Sequence, residues 1–150
     1  MSLKAVTAAL ITQVKVVNGV SPYSYNLSSG DRVNQRISLD PELLPSVSIQ
    51  LVSVSESPGP DLTGFTETAI YRLFGVVPAA NDTVASRISG AQDLLDDIKR
   101  AIRADRSLGG LVFDAATSIS GTAFAEPAEG GIVEYGCVVV DVTVSWTELP

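Results

Sequence analysis

Side chains able to carry acid–base, nucleophilic or metal chemistry are scarce in this sequence: it has no histidine, one cysteine and one methionine, with 17 acidic residues against 10 basic ones. Lack of histidine removes the commonest general base and metal ligand near neutral pH. Cys137 opens the run CVVVDVTVSW with no histidine to activate it, so it reads as a small buried residue and not as a nucleophile. A single cysteine also excludes an intramolecular disulfide and the usual Cys/His zinc sets. Asp93, Asp96 and Asp97 form the tightest acidic group, with Asp93 and Asp97 one helical turn apart. No neighbouring glutamate, histidine or loop carbonyl is indicated to complete a metal site, and the group reads as a solvated helix face. The other carboxylates form no pair flanked by a substrate-binding aromatic cluster. The patterns GxSxG, SxxK, GxxxxGK[ST] and GxGxxG are absent. Gly109-Gly110 follow a helix instead of preceding one, so they present no helix N-terminus to an anion and serve as a stop. Tyr23 and Tyr25 share a face and read as cover for the core edge, not as a ligand platform. The expectation is a protein that is not an enzyme and holds no cofactor or metal.

Composition narrows what remains. The 150 residues fit one domain, 1–150, and 45% of them are hydrophobic. Only 18% are charged, against roughly 25% in an average soluble domain. A surface this poor in charge suits a protein partly covered by neighbours. The net charge of −7 argues against gripping nucleic acid, because that affinity comes from Lys and Arg displacing counterions from phosphates. The opening MSLKAVTAALITQVKVV is expected to be a helix of the mature protein and not a signal peptide. No apolar run approaches the ~20 residues that span a bilayer, so no membrane association is expected.

The elements follow from periodicity. Ser2 caps a helix in which Leu3, Val6, Leu10, Val14 and Val17 line one stripe, and Asn18-Gly19 ends it. Residues 20–44 are turn-rich and read as irregular chain with one or two short strands. Val47, Ile49 and Leu51 alternate with polar residues as a half-buried strand does. Ser55–Gly64, with two prolines and two glycines, reads as a protruding loop, after which Phe65–Val77 returns as an antiparallel partner. A second helix, capped by Asn81 or Asp82, carries Val84, Ile88, Ala91, Leu95, Ile98 and Ile102 on its apolar stripe. Ser107-Leu108-Gly109-Gly110 ends it, Ser118–Glu126 forms another strand, and Pro127–Gly131 is a flexible break. The strongest strand signal is Val138, Val140, Val142, Val144 and Trp146 alternating with polar positions, each worth about 1.5–3 kcal/mol when buried. The fold class expected is α+β: an antiparallel or mixed sheet of four to five strands with both helices packed on one face.

The stretch Leu95–Leu111 and the element order carry a resemblance. An amphipathic helix running into Asp105-Arg106-Ser107-Leu108-Gly109-Gly110, and then a valine-rich terminal strand ending at Trp146, is similar to the tail-terminator (tail-completion) proteins of long-tailed bacteriophages. The resemblance covers most of the chain in architecture and 17 residues in wording. It implies a ring, usually a hexamer, that docks on the last ring of the tail tube, ends tube polymerisation and offers the surface to which the head connector or neck protein binds. The partners implied are other copies of the chain, the tail tube protein and the connector, with DNA passing through unbound. The place implied is the virion tail, assembled in the host cytoplasm. An acidic ring would repel DNA phosphates from its wall. The long chemically idle stretches Ser55–Gly64 and Gly121–Gly131 are expected to meet neighbours, which nominates Pro58, Pro60, Leu62, Phe65, Phe124 and Pro127 as inter-subunit contacts. Residues 20–44 match no motif of that family. Another neck or tail-tube subunit is the alternative of the same class, and a monomeric ligand-binding domain with a pocket under the sheet is the alternative of a different class.

Overall fold

The computed structural model describes residues 2–36, 44–58, 64–78, 84–115, 118–127 and 133–148. Seven elements follow one another: α1 (Leu3–Val14), β1 (Val33–Asn34), β2 (Ser46–Pro58), β3 (Phe65–Pro78), α2 (Val84–Ala104), β4 (Ile119–Pro127) and β5 (Val133–Glu148). The strands form one five-stranded sheet in the order β1-β2-β3-β5-β4. All neighbours are antiparallel except β1, which runs parallel to β2 for two residue pairs. The fold is therefore the expected α+β arrangement, with a mixed sheet.

Local chemistry explains the boundaries. The Ser2 hydroxyl accepts from the Ala5 amide at 3.2 Å and caps α1, whose Val6, Leu10 and Val14 are fully buried. The helix closes at Val14, and Val17 enters the core from the turn that follows. The predicted caps of α2, Asn81 and Asp82, lie outside the described residues. On α2 the buried stripe is Ala91, Leu94, Ile98, Ala101 and Ile102, while Leu95 is only half-buried.

Both helices lie on the same face of the sheet. Thr7 of α1 shares a 2.7 Å hydrogen bond with the hydroxyl of Tyr71 on β3, and Gln13 donates to the Ala101 carbonyl of α2 at 2.6 Å. On that face β5 buries Val138, Val140, Val142, Val144 and Trp146, as the alternation predicts. Glycines let α2 sit close: a Cβ at Gly75 would overlap Leu94 and Val138, one at Gly121 would overlap Leu95, and one at Gly136 would run into the Arg87 backbone carbonyl. Trp146 is buried, and its indole N–H meets no acceptor among the described residues.

Two expectations need correction. Ser55–Pro58 are not loop; they continue β2 opposite Thr68, Glu67, Thr66 and Phe65. Proline stands there because it closes an edge strand, where a missing amide hydrogen breaks no ladder. Gly121–Pro127, nominated as part of an idle stretch, belong instead to β4, which is the strand expected over Ser118–Glu126. The second correction is Asp97, read as part of a solvated face: it is fully buried. Its carboxylate accepts from the amides of Ser24 and Tyr25 at 2.9–3.0 Å, which ties residues 22–27 across α2.

Candidate functional site

The surface that distinguishes this molecule is the outer half of β2. β1 covers β2 only at Val47 and Ser48, and past that point no strand among the described residues pairs with the outer side of β2. Every residue from Gln50 to Pro58 is exposed. Between Leu51 and Ser53 the register slips by one residue, so Val52 is an extra residue in a β-bulge. The bulge explains why LVSVS fails to alternate. Leu51 stands opposite Tyr71 and Val54 opposite Ala69, so both lie on the helix side of the sheet, beyond the reach of the helices. Leu51 is 42% exposed, Val52 50% and Val54 41%. Three large apolar side chains within four residues of an unpaired strand are unusual, because edge strands are normally protected by charge. The charged residue of this stretch, Glu56, stands opposite another acid, Glu67.

The opposite edge of the sheet is β4, which pairs with β5 on one side and with nothing on the other among the described residues. Its helix-side positions are small or aliphatic (Ile119, Gly121, Ala123, Ala125), and Ser120 and Thr122 point away from the helices. The same edge is prolonged by Phe113, whose amide donates to the Ser145 carbonyl at 2.9 Å and whose ring is 63% exposed.

The nominated contacts do not gather into one patch. Pro58 and Phe65 face each other at the far end of the β2–β3 ribbon, where Phe65 is 41% exposed. Phe124, half-buried opposite Cys137, and Pro127 belong to β4 at the other edge. Pro60 and Leu62 lie outside the described residues. Leu51, Val52 and Val54 were not nominated; the signal available was the broken alternation, which marks a bulge and a change of face.

Charged groups elsewhere serve the fold. Arg72 and Asp141 form a two-pronged pair at 2.9 and 3.2 Å across β3 and β5, on the face without helices. Arg106 and Asp114 do the same at 2.9 and 2.6 Å around the turn after α2. In each pair the carboxylate hydrogen bond raises the arginine pKa further. The Asp97 carboxyl is pushed above the ordinary aspartate value by burial, against the lowering effect of the Ser24 and Tyr25 amides and of Arg100. Tyr25 is raised as well, first by burial and then by Asp93 and Asp97. Tyr23 and Tyr25 pack against the core, as expected of them. Cys137 is buried. Among the described residues no three acids, cysteines or histidines converge on a metal position, and no helix is long and apolar enough to cross a membrane.

The turn after α2 is built by its own side chains. The Asp105 carboxylate accepts from the Ser107 hydroxyl at 3.0 Å and from the Gly109 amide at 2.8 Å, and the Ser107 hydroxyl accepts from the Gly110 amide at 3.0 Å. Leu108, Gly109 and Gly110 all have positive φ, at 50, 74 and 86°. Leu108 bears that cost while its side chain is buried; glycine bears it without a Cβ clash.

No family model matches the sequence, and no curated protein matches it. Among solved structures, a chain from the virion of a native gene transfer agent particle is similar with a TM-score of 0.43 and 15% identity, over 89% of this chain and 93% of that one.

Proposed function

We propose that the chain is a structural subunit of a phage-type particle: a ring-forming terminator that caps the tail tube, ends its polymerisation and offers the surface to which the head connector or neck protein binds. The observation that carries this reading is the turn at Asp105–Gly110. Each residue type quoted in the resemblance has a task there: Asp105 accepts two hydrogen bonds, Ser107 relays one to Gly110, Leu108 anchors in the core, and both glycines supply left-handed backbone.

The long open edges support the same reading, since they suit a molecule that completes itself by meeting copies and partners. Its work is surface matching. DNA is a passing neighbour, kept from binding by a net charge of −7. The test is electron microscopy of particles assembled without this chain. Overlong tails that fail to join heads are expected; absent tails would assign the chain to the tube or its initiation, and normal joined tails would overturn the reading.

A further inference from the structure

The two open edges of the sheet fit each other, and we infer that the outer half of β2 pairs with β4 of a second copy to build a continuous, closed sheet. Length agrees: Gln50–Pro58 and Ile119–Pro127 are nine residues each. Direction agrees, because β2 is antiparallel to β3, β3 to β5 and β5 to β4, so β4 runs opposite to β2. A neighbour in the same orientation therefore adds an antiparallel strand, and the alternation continues from copy to copy without a break. Faces agree too. Leu51 and Val54 come level with the small Gly121, Ala123 and Ala125 on the helix side, while Ser53, Ser55 and Ser57 join Ser120 and Thr122 on the other.

The stagger gives the shape. Val54, the centre of the open stretch of β2, stands in the row of Ala69 and Val144, while Ala123, the centre of β4, stands in the row of Val138. Matching the centres displaces one copy along the strands by six residues, about 20 Å, over a four-strand width of about 19 Å. That is a strand tilt near 45°, at the upper end of the range in which sheets close into barrels. A head-to-tail contact is not two-fold, and a tilt within reach of the closing range favours a ring over an open filament.

This proposal rests on the ring reading above, and the experiment separates the two. Two variants each block one edge: Val54→Lys on β2, and Ala123→Pro on β4 with Thr122→Lys as a milder companion, each checked for native circular dichroism. The Ala123 amide points away from β5, because the even residues of β4 make the ladder bonds to β5. Native mass spectrometry of the wild-type chain is expected to show a closed oligomer. Each variant alone is expected as a monomer, and an equimolar mixture as a one-to-one heterodimer and nothing larger, since only one compatible pair of edges remains. A ring that survives both variants overturns the edge pairing and leaves the terminator reading standing. An Ala123→Pro dimer that forms without its counterpart shows β2 pairing with β2 and also overturns it. A wild-type chain that remains monomeric at every concentration sinks the ring itself.

Discussion

Asp97 is the residue whose surroundings say most about how this chain is held. A carboxylate with no exposure is costly unless its lone pairs are used, and here two amides of a segment more than 70 residues away use them. Truncating it in Asp97→Ala strands both amides and is expected to cost about 2–4 kcal/mol, read as a lower midpoint in urea unfolding. The raised pKa gives this group an unusual sign. The folded chain holds the Asp97 proton more tightly than the unfolded chain does, so between the ordinary value of 3.8 and the higher folded one this residue contributes less stability as pH rises. Asp97→Asn should remove that contribution. Unfolding midpoints followed from pH 3.5 upward should show the wild type losing ground against the Asn variant as the residue ionises; parallel curves would refute it.

The elements differ in how closely they tolerate one another, and α2 over β5 is the tightest contact. At Gly136 an added Cβ meets the backbone carbonyl of Arg87, which cannot rotate away, whereas at Gly75 it meets the side chains of Val138 and Leu94. Gly136→Ala is expected to destabilise by about 3 kcal/mol or more and Gly75→Ala by less, since side chains repack and a helix must shift as a whole. Thermal unfolding of the two variants side by side checks the order. At the ribbon, Glu56→Thr removes one of two acids standing opposite each other and is expected to stabilise by about 0.2–1 kcal/mol. Helices α1 and α2 and the valine strand were legible in the sequence because each buries one face, and burial on one face imposes a period. Leu94 in place of Leu95 and the closing of α1 at Val14 are shifts within that legible pattern. The outer half of β2 was not legible. Nothing among the described residues covers it, so no period is imposed, and a bulge at Val52 breaks the alternation that remained. Asp97 was hidden for the opposite reason, since the segment that buries it arrives from far along the chain. Of the nominated contacts, Pro58 lies on β2 and Phe124 on β4, both edge strands, and Phe65 on the interior strand β3; the exposed trio Leu51, Val52 and Val54 that gives β2 its apolar character was not among them.

For the molecule as a whole, the two open edges carry little charge, Glu56 on the outer half of β2 and Glu126 on β4. The open stretch of β2 carries Glu56 and no basic residue, so self-association is expected to change little in light scattering between 50 and 500 mM salt, where an interface made of ion pairs would weaken. In the proposed ring the face without helices shows hydroxyls together with Arg72, already neutralised by Asp141. Gel-shift assays with duplex DNA at low salt should show no retardation; a shift that disappears as salt is added would mean a basic surface has formed on assembly. The chain also carries its own optical probe. Trp146, its one tryptophan, is sealed near the far end of the β2–β3 ribbon with its indole N–H facing no acceptor among the described residues. Its fluorescence should be blue-shifted and hard to quench with iodide. A red shift without loss of helical signal would then report, with no label attached, that this end of the sheet had opened while the rest stayed folded.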